Sequence, residues 1–233
     1  MILIEKTEVS GWEAAIRGMR NPMNSWDKSD SEDGCTFHGN TNFCLNGCGE
    51  WYECYGANAS LIIGPNDLKL MKQLVNAGTD HRKFMRMIVV YCDITAPLYW
   101  WKEFDTYKVG TVANSCSTMH KIHAKEFVPS DFSTERLCSC EGYNALNLVI
   151  DTLNLDRDKF LRTKKKEYWD EMIQTLPTSY NQKRTVMLNY EVLSNIYKSR
   201  KNHKLEEWHE MCRWIELLPY SGLITGKEGE ADG

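Results

Sequence analysis

The run Asn114-Ser115-Cys116-Ser117-Thr118 places a carboxamide, three hydroxyls and a thiol on consecutive residues. Such a set suits the cradling of a phosphate by side-chain O–H and backbone N–H groups. It lies within a polar stretch, Thr106 to His123, rich in Lys, Thr, Ser, Asn, Cys and His and poor in aliphatic bulk. A stretch of this kind is costly to bury unless its polar groups find partners, and a ligand rich in phosphates or amides is one such partner. A polar turn that satisfies itself is the alternative. Just upstream, Trp100 and Trp101 suit either stacking on a planar ring or packing in a core or interface. His120 and His123 stand as candidate proton relays or as surface residues.

Cysteine use offers a second set. Of nine cysteines, Cys35, Cys44, Cys48 and Cys54 cluster among Gly, Asn and aromatic residues with the spacing C-x8-C-x3-C-x5-C. The paired C-x2-C knuckles of most structural zinc sites are missing, so the cluster reads as a loop with free thiols, metal binding being the minority reading. Cys138-Ser139-Cys140 is too tight to chelate a metal tetrahedrally by itself.

The elements that must position these residues follow from periodicity. The chain has 233 residues and a net charge of −4, enough length to bury a core and too little positive charge for broad binding to nucleic acid or anionic membrane. No 18-residue apolar run is present and the opening MILIEKTEVSGWE lacks a signal-peptide pattern, so the expectation is a cytoplasmic protein with reduced thiols. Residues 1–19 predict a strand followed by a short helix from Trp12. Residues 21–60 read as a Cys-rich loop or insertion. Pro65-Asn66-Asp67 opens a helix, with Asp67 as its N-cap and Gly78 as its stop. A strand from Met87 to Ile94 runs through Ala96-Pro97 into a helical segment, Trp100 to Tyr107. Further helices are predicted over Leu146 to Phe160, Tyr168 to Leu176, Lys183 to Ser199 and Leu205 to Leu218, with the basic run Arg162 to Lys166 as a solvated helix face. Residues 1–226 then form one domain, and 227–233 an acidic disordered tail.

Two blocks of this sequence resemble the flavin-dependent thymidylate synthases. That family carries Arg-His-Arg-x2-Ser-x4-Ser-x-Arg after a strand and an Ala-Pro. The register is kept here while residue types differ: Thr106-Tyr107-Lys108, then Thr111, Cys116 and Thr118, nine residues after Pro97. The second block is Leu176-Pro177 with Asn189 twelve residues after the proline, then Asn195 and Arg200. His81 stands where the family has a His near the flavin's adenosine. The resemblance covers residues 60–218.

It implies an α+β fold with a mixed sheet and long C-terminal helices, and a homotetramer binding FAD between subunits. It implies transfer of a one-carbon unit from methylenetetrahydrofolate to C5 of dUMP, a methyltransferase reaction with NADPH as reductant. FAD contacts are implied for His81, Thr106, Tyr107, Lys108, Asn114, Asn189 and Asn195. The pyrimidine nucleotide is implied to lie against Glu103, Ser115, Cys116, Ser117, Thr118 and Arg200, with Arg200 as the catalytic cation beside the base. Helical spacing independently puts Asn189 and Arg200 on one stripe, since eleven residues at about 100° return close to the start. Snorkelling of Arg200 into solvent is the alternative.

The family uses no cysteine nucleophile, so Cys116 reads as a neutral hydrogen-bonding substitute for serine. Two phosphate-holding arginines of the family fall on Thr118 and Ile173, which removes the strongest bidentate contacts. Lys108, Arg82, Lys83 or the pair Arg17 and Arg20 are candidate replacements. This departure leaves open a relative acting on dCMP or UMP, one that installs hydroxymethyl, or a non-catalytic flavin- or nucleotide-binding protein.

Overall fold

A computed structural model describes residues 1–35 and 59–227. Its strands and helices, in chain order, are β1 (Leu3–Ser10), α1 (Trp12–Arg20), β2 (Glu32–Cys35), β3 (Ala59–Ile62), α2 (Pro65–Asn76), β4 (Val89–Pro97) and α3 (Leu98–Phe104). They continue as β5 (Val112–Ser115), α4 (Cys140–Thr163), α5 (Lys166–Thr175), β6 (Asn181–Asn189), α6 (Tyr190–Arg200), α7 (Glu206–Glu216) and α8 (Gly222–Thr225). Four strands form an antiparallel sheet in the order β1-β4-β6-β5, and β2 pairs antiparallel with β3. The fold is thus mixed helix and sheet as expected, but the sheet is antiparallel. The longest helix among the described residues, α4 with 24, lies in mid-chain, whereas α6 and α7 have 11 each.

The chain divides into two compact units interleaved in sequence. Unit 1 comprises residues 1–5, 93–106 and 113–185; unit 2 comprises 6–92, 107–112 and 186–233. Unit 1 has a core of Ile122, Phe127, Phe132, Ile150, Leu153 and Met172, on which Ile173 and Phe160 pack. Trp100 and Trp101 are both buried there against Phe104, and the Trp101 indole N–H donates to the Gln182 carbonyl at 2.9 Å. Core packing is therefore the fate of the tryptophan pair. Unit 2 has an aromatic centre in which Trp12 meets Tyr190 and Tyr220 edge-on, with ring centroids 5.2 and 5.3 Å apart.

Several boundaries differ from the sequence reading, each for a local reason. Asp67 is not the N-cap of α2. Pro65 occupies the first turn after Gly64, and the Asp30 carboxylate caps that turn by accepting the backbone N–H of Asn66 at 2.9 Å and of Asp67 at 3.0 Å. The segment Lys183 to Asn189 is strand, not helix. Gln182, Val186 and Leu188 are buried in alternation, and β6 is an interior strand of the sheet whose ladder outweighs helical propensity. Strand β4 starts two residues later than predicted and runs to Pro97, and α3 ends at Phe104.

The basic run is not a helix face. Arg162 and Thr163 end α4, Lys164 adopts a left-handed conformation (φ 57°), and Lys166 opens α5. Residues 21–35 are not plain loop, since two 3-10 turns precede β2. Cys44, Cys48 and Cys54 lie outside the described residues, as do 228–233. Lys227, assigned to a disordered tail, pairs with Glu216 at 2.6 Å. Among the described residues no helix is long and apolar enough to cross a membrane.

Candidate functional site

Unit 1 holds the hydroxyl run. Strand β5 carries Asn114 and Ser115 at the sheet edge, both exposed. Beside it, β6 pins Cys116 by its backbone: Cys116 N–H donates to the Lys183 carbonyl at 2.9 Å, and the Gln182 side-chain amide donates to the Cys116 carbonyl at 2.8 Å. The Ser117 hydroxyl oxygen then accepts from the backbone N–H of His120 at 2.8 Å. These bonds turn Cys116, Ser117 and Thr118 into the wall of a cavity of about 290 Å³. Its other walls include Thr95, Lys125, Asp131, Tyr180, Gln182 and Lys183.

The cavity's charges are compensated in pairs. Lys125 forms an ion pair with Asp131, a contact that raises the lysine pKa above its ordinary value. Lys183 reaches Asp93 at 3.2 Å and Glu5 at 3.4 Å, and the hydrogen bond to Asp93 is the main reason its pKa is raised. Burial raises the Tyr180 pKa, assisted by the Asp131 charge and opposed by Lys125, so this phenol stays protonated and able to donate. The set can hold a polar ligand by hydroxyl, amide and ammonium donors. Glu103 and Thr106 also belong to unit 1, where the Thr106 hydroxyl donates to the Glu103 carbonyl at 2.7 Å just past α3. His120 is exposed, while the half-buried His123 ring lies 4.8 Å from that of Phe160.

Unit 2 gathers His81, Tyr107, Lys108, Thr111, Asn189, Asn195 and Arg200. Asn189 is the N-cap of α6, its side-chain oxygen accepting the Val192 N–H at 3.0 Å, and Arg200 is the helix's last residue. Gly110 packs against that cap in a left-handed conformation (φ 81°), and a Cβ there would come within 2.7 Å of Asn189 Nδ2. The Thr111 hydroxyl is buried with no hydrogen-bond partner among the described residues. Arg200, at the end of α6, neither lies in the core nor snorkels. Its Nε donates to the Tyr107 hydroxyl at 2.9 Å, and its guanidinium lies 4.6 Å from the Trp208 ring centroid and 5.6 Å from that of Tyr107. This aromatic clamp fixes the plane of the cation.

Two arginines considered as phosphate ligands are closed inside unit 2. Arg20 is 4% exposed and donates to Asp67 at 2.6 Å and to the carbonyls of Ser25 and Lys28. Arg82 is 8% exposed and meets Glu191 at 3.4 Å and the Asn195 carboxamide at 3.3 Å. Arg86 pairs with the same carboxylate. Burial works to raise the Glu191 pKa, but the Arg86 hydrogen bond and the two guanidinium charges outweigh it and hold the carboxyl below its usual range. Among the described residues, Arg17 bonds within its own helix, to Glu13 at 3.3 Å.

Sequence reasoning missed Lys125, Asp131, Tyr180, Lys183 and Trp208. Period-two alternation along residues 181–189 would have identified Lys183 and Thr185 as one strand face. Nothing local marks Lys125 or Trp208.

No family profile matches the sequence, and no curated protein matches it. The fold is nonetheless similar to that of solved flavin-dependent thymidylate synthases. One is the Helicobacter pylori enzyme ThyX complexed with FAD and dUMP, 14% identical, covering 96% of each chain with a TM-score of 0.61. A second structure of the Helicobacter pylori thymidylate synthase X with FAD and dUMP is also 14% identical, covers 96% of this chain and 95% of that one, and has a TM-score of 0.63. At that identity the likeness speaks for the fold.

Proposed function

We propose that the protein transfers a one-carbon unit from methylenetetrahydrofolate to C5 of a pyrimidine nucleotide, with dUMP as first substrate, FAD as cofactor and NADPH as reductant. The observation that carries this reading is the unit 1 cavity. Cys116, Ser117 and Thr118, singled out for the nucleotide, line one space with two lysines. The fold shared with structures that hold FAD and dUMP supports it.

Unit 2 offers groups that fit the polar edge of a flavin. Lys108 and His81 are exposed, and the buried Thr111 hydroxyl, which has no partner among the described residues, is free to bond to a ligand. His81, Tyr107, Lys108, Asn189 and Asn195 would hold it, and the flavin when bound supplies the hydride. The chain's own residues do the rest. Ser117, Thr118 and the lysine ammoniums bind phosphate oxygens, and Cys116 contributes a weak hydrogen bond. In unit 2, Arg200, held in plane by Tyr107 and Trp208, is a cation of the kind that stabilises negative charge on a pyrimidine amide, the charge that makes C5 nucleophilic. The resemblance extends to a homotetrameric assembly, which light scattering measures. The test is the absorbance of the purified protein between 350 and 500 nm (roughly the range of oxidised flavins), together with dUMP methylation assayed with methylenetetrahydrofolate and NADPH. A colourless protein that gains no thermal stability from added FAD overturns the reading.

One observation favours a second substrate. Thr118 and Ile173 replace two arginines, Ile173 packs on the core, and both cavity lysines are already neutralised by carboxylates. A dianionic phosphate therefore finds less attraction than a guanidinium pair would supply. The departure from the arginine pair leaves the base and sugar unassigned, so dCMP, UMP or a hydroxymethyl product is the second reading. A thermal-shift panel decides the nucleotide, stabilisation by dUMP alone removing dCMP and UMP, and the mass of the product decides between methyl and hydroxymethyl.

A further inference from the structure

The unit 1 cavity fixes its negative charges and leaves its positive ones mobile. Asp131 ends a 3-10 turn, Pro129–Asp131, and is tied to Val128 twice. Its backbone N–H donates to the Val128 carbonyl at 2.9 Å, and its Oδ2 accepts the Val128 N–H at 3.1 Å. On β4, Asp93 accepts the Thr185 hydroxyl at 2.7 Å. Both carboxylate side chains are 12% exposed, whereas Lys125 and Lys183, which pair with them, are far more open to solvent. The ammoniums can turn toward a ligand and the carboxylates cannot. Asp131 itself lines the cavity together with Ser117, Thr118 and Lys125. A carboxylate has about four lone-pair sites, and Lys125 and Val128 occupy two of them. A further partner must therefore donate. A bare phosphoryl oxygen facing Asp131 is repelled, while a P–O–H is bonded.

We propose that Asp131 determines specificity in this cavity by accepting the P–O–H of a phosphate monoester, so that the ligand binds in its singly charged, protonated form. This rests on the reading of the cavity as the nucleotide's phosphate site. Lys125, Lys183 and the hydroxyls of Ser117 and Thr118 take the remaining oxygens. Protonation lowers the charge that the cavity must offset, which is what a guanidinium pair would otherwise do by attraction. The second pKa of a phosphate monoester is about 6, so the bound form is a minor species at neutral pH. A sulfate ester carries the same single charge and no proton, and Asp131 rejects it. The other titratable groups at the cavity are Cys116, Tyr180, Lys125 and Lys183, with Asp93 and Glu5 paired to Lys183. His120 and His123 follow in sequence and titrate near the same range as the phosphate, which makes a non-titrating ligand the necessary control.

Calorimetry on the full chain with FAD present tests it, using dUMP, deoxyuridine 5′-sulfate and deoxyuridine between about pH 6 and about pH 8. The affinity for dUMP is expected to fall about tenfold from about pH 7 to about pH 8. The sulfate ester should bind about tenfold more weakly than dUMP at the acid end and show a level profile. Asp131→Asn should bind dUMP about tenfold more tightly than wild type at the alkaline end, because a carboxamide donates to a bare oxygen and Lys125 is released. The same variant should accept the sulfate ester. A dUMP affinity that is level or rises with pH overturns the proposal and leaves the nucleotide reading intact. So does a sulfate ester that binds as tightly as dUMP, or a folded Asp131→Asn protein with the wild-type profile. Binding of neither dUMP nor deoxyuridine at any pH overturns both. The wild-type measurements need no variant, so they decide even where Asp131→Asn does not fold.

Discussion

The two units use charge in opposite ways. In unit 2, Arg20 and Asp67 are 4% and 0% exposed and close on one another, with the Ser29 and Ser31 hydroxyls donating to the same carboxylate at 2.6 and 2.7 Å. In unit 1, Lys125 and Lys183 are 66% and 40% exposed at their side chains and stand around an open cavity. Buried ions without partners are heavily penalised, so a buried cation is committed to its carboxylate and is not available to a ligand. A cation at a cavity wall keeps much of its hydration and can exchange a carboxylate for a phosphate at small cost. The arginines that looked like spare phosphate ligands are thus framework, and lysines with no motif around them are the exchangeable groups.

The contrast breaks most visibly at Asp67. Asp67→Ala should cost about 3–5 kcal/mol in urea unfolding, since Arg20 is left buried and unpaired. Burial acts to raise the Asp67 pKa, but Ser29, Ser31 and Arg20 together hold it lowered. Its folded pKa is therefore below the unfolded value of about 3.9. The stabilisation is present above that pH and disappears as pH falls through the folded value. Glu191 follows the same sign. Asp67→Asn should flatten the acid limb of the stability curve, and an unchanged limb would show that the pair contributes nothing.

Arg200→Ala should lower turnover by about 10²–10³ with folding retained, and Arg200→Lys should not restore it, because an ammonium lacks the plane that Trp208 and Tyr107 hold. Recovery in the lysine variant would reduce the clamp to a point charge.

In unit 1, Lys125→Ala should change stability by less than about 1 kcal/mol yet weaken nucleotide binding about tenfold, measured by calorimetry. Equal binding would mean the cavity does not use this cation. The smallest effect is expected at Ser139, whose hydroxyl accepts the Gly142 N–H at 3.0 Å as the N-cap of α4. Ser139→Ala should cost about 1 kcal/mol of thermal stability.

Much of the element order was legible in residue patterns. Trp12 to Arg20, the helix from Pro65 and the segment from Leu205 show amphipathic periodicity strong enough to read directly. The strand-to-Ala96-Pro97 passage and the spacing of Asn189 from Pro177 carried the family likeness. The failures share a cause. Residues 183–189 have ambiguous propensity, and only their place in the middle of a four-stranded sheet makes them strand. Asp67 has the composition of a cap, yet a residue 37 positions earlier, Asp30, performs the capping.

The hydroxyl run at 114–118 was legible in sequence alone, and so were Thr118 and Ile173, where the family that the sequence resembles carries arginines. Periodicity and composition act locally, within a turn of helix or a strand repeat, and local rules suffice to find such features. Which cations are spent and which are exposed was decided only in three dimensions. Arg20 meets Asp67 across 47 residues and Arg82 meets Glu191 across 109, distances in sequence over which no local rule operates. Pairing of buried charge is a property of the packed chain, and it separates the framework of this protein from its candidate site.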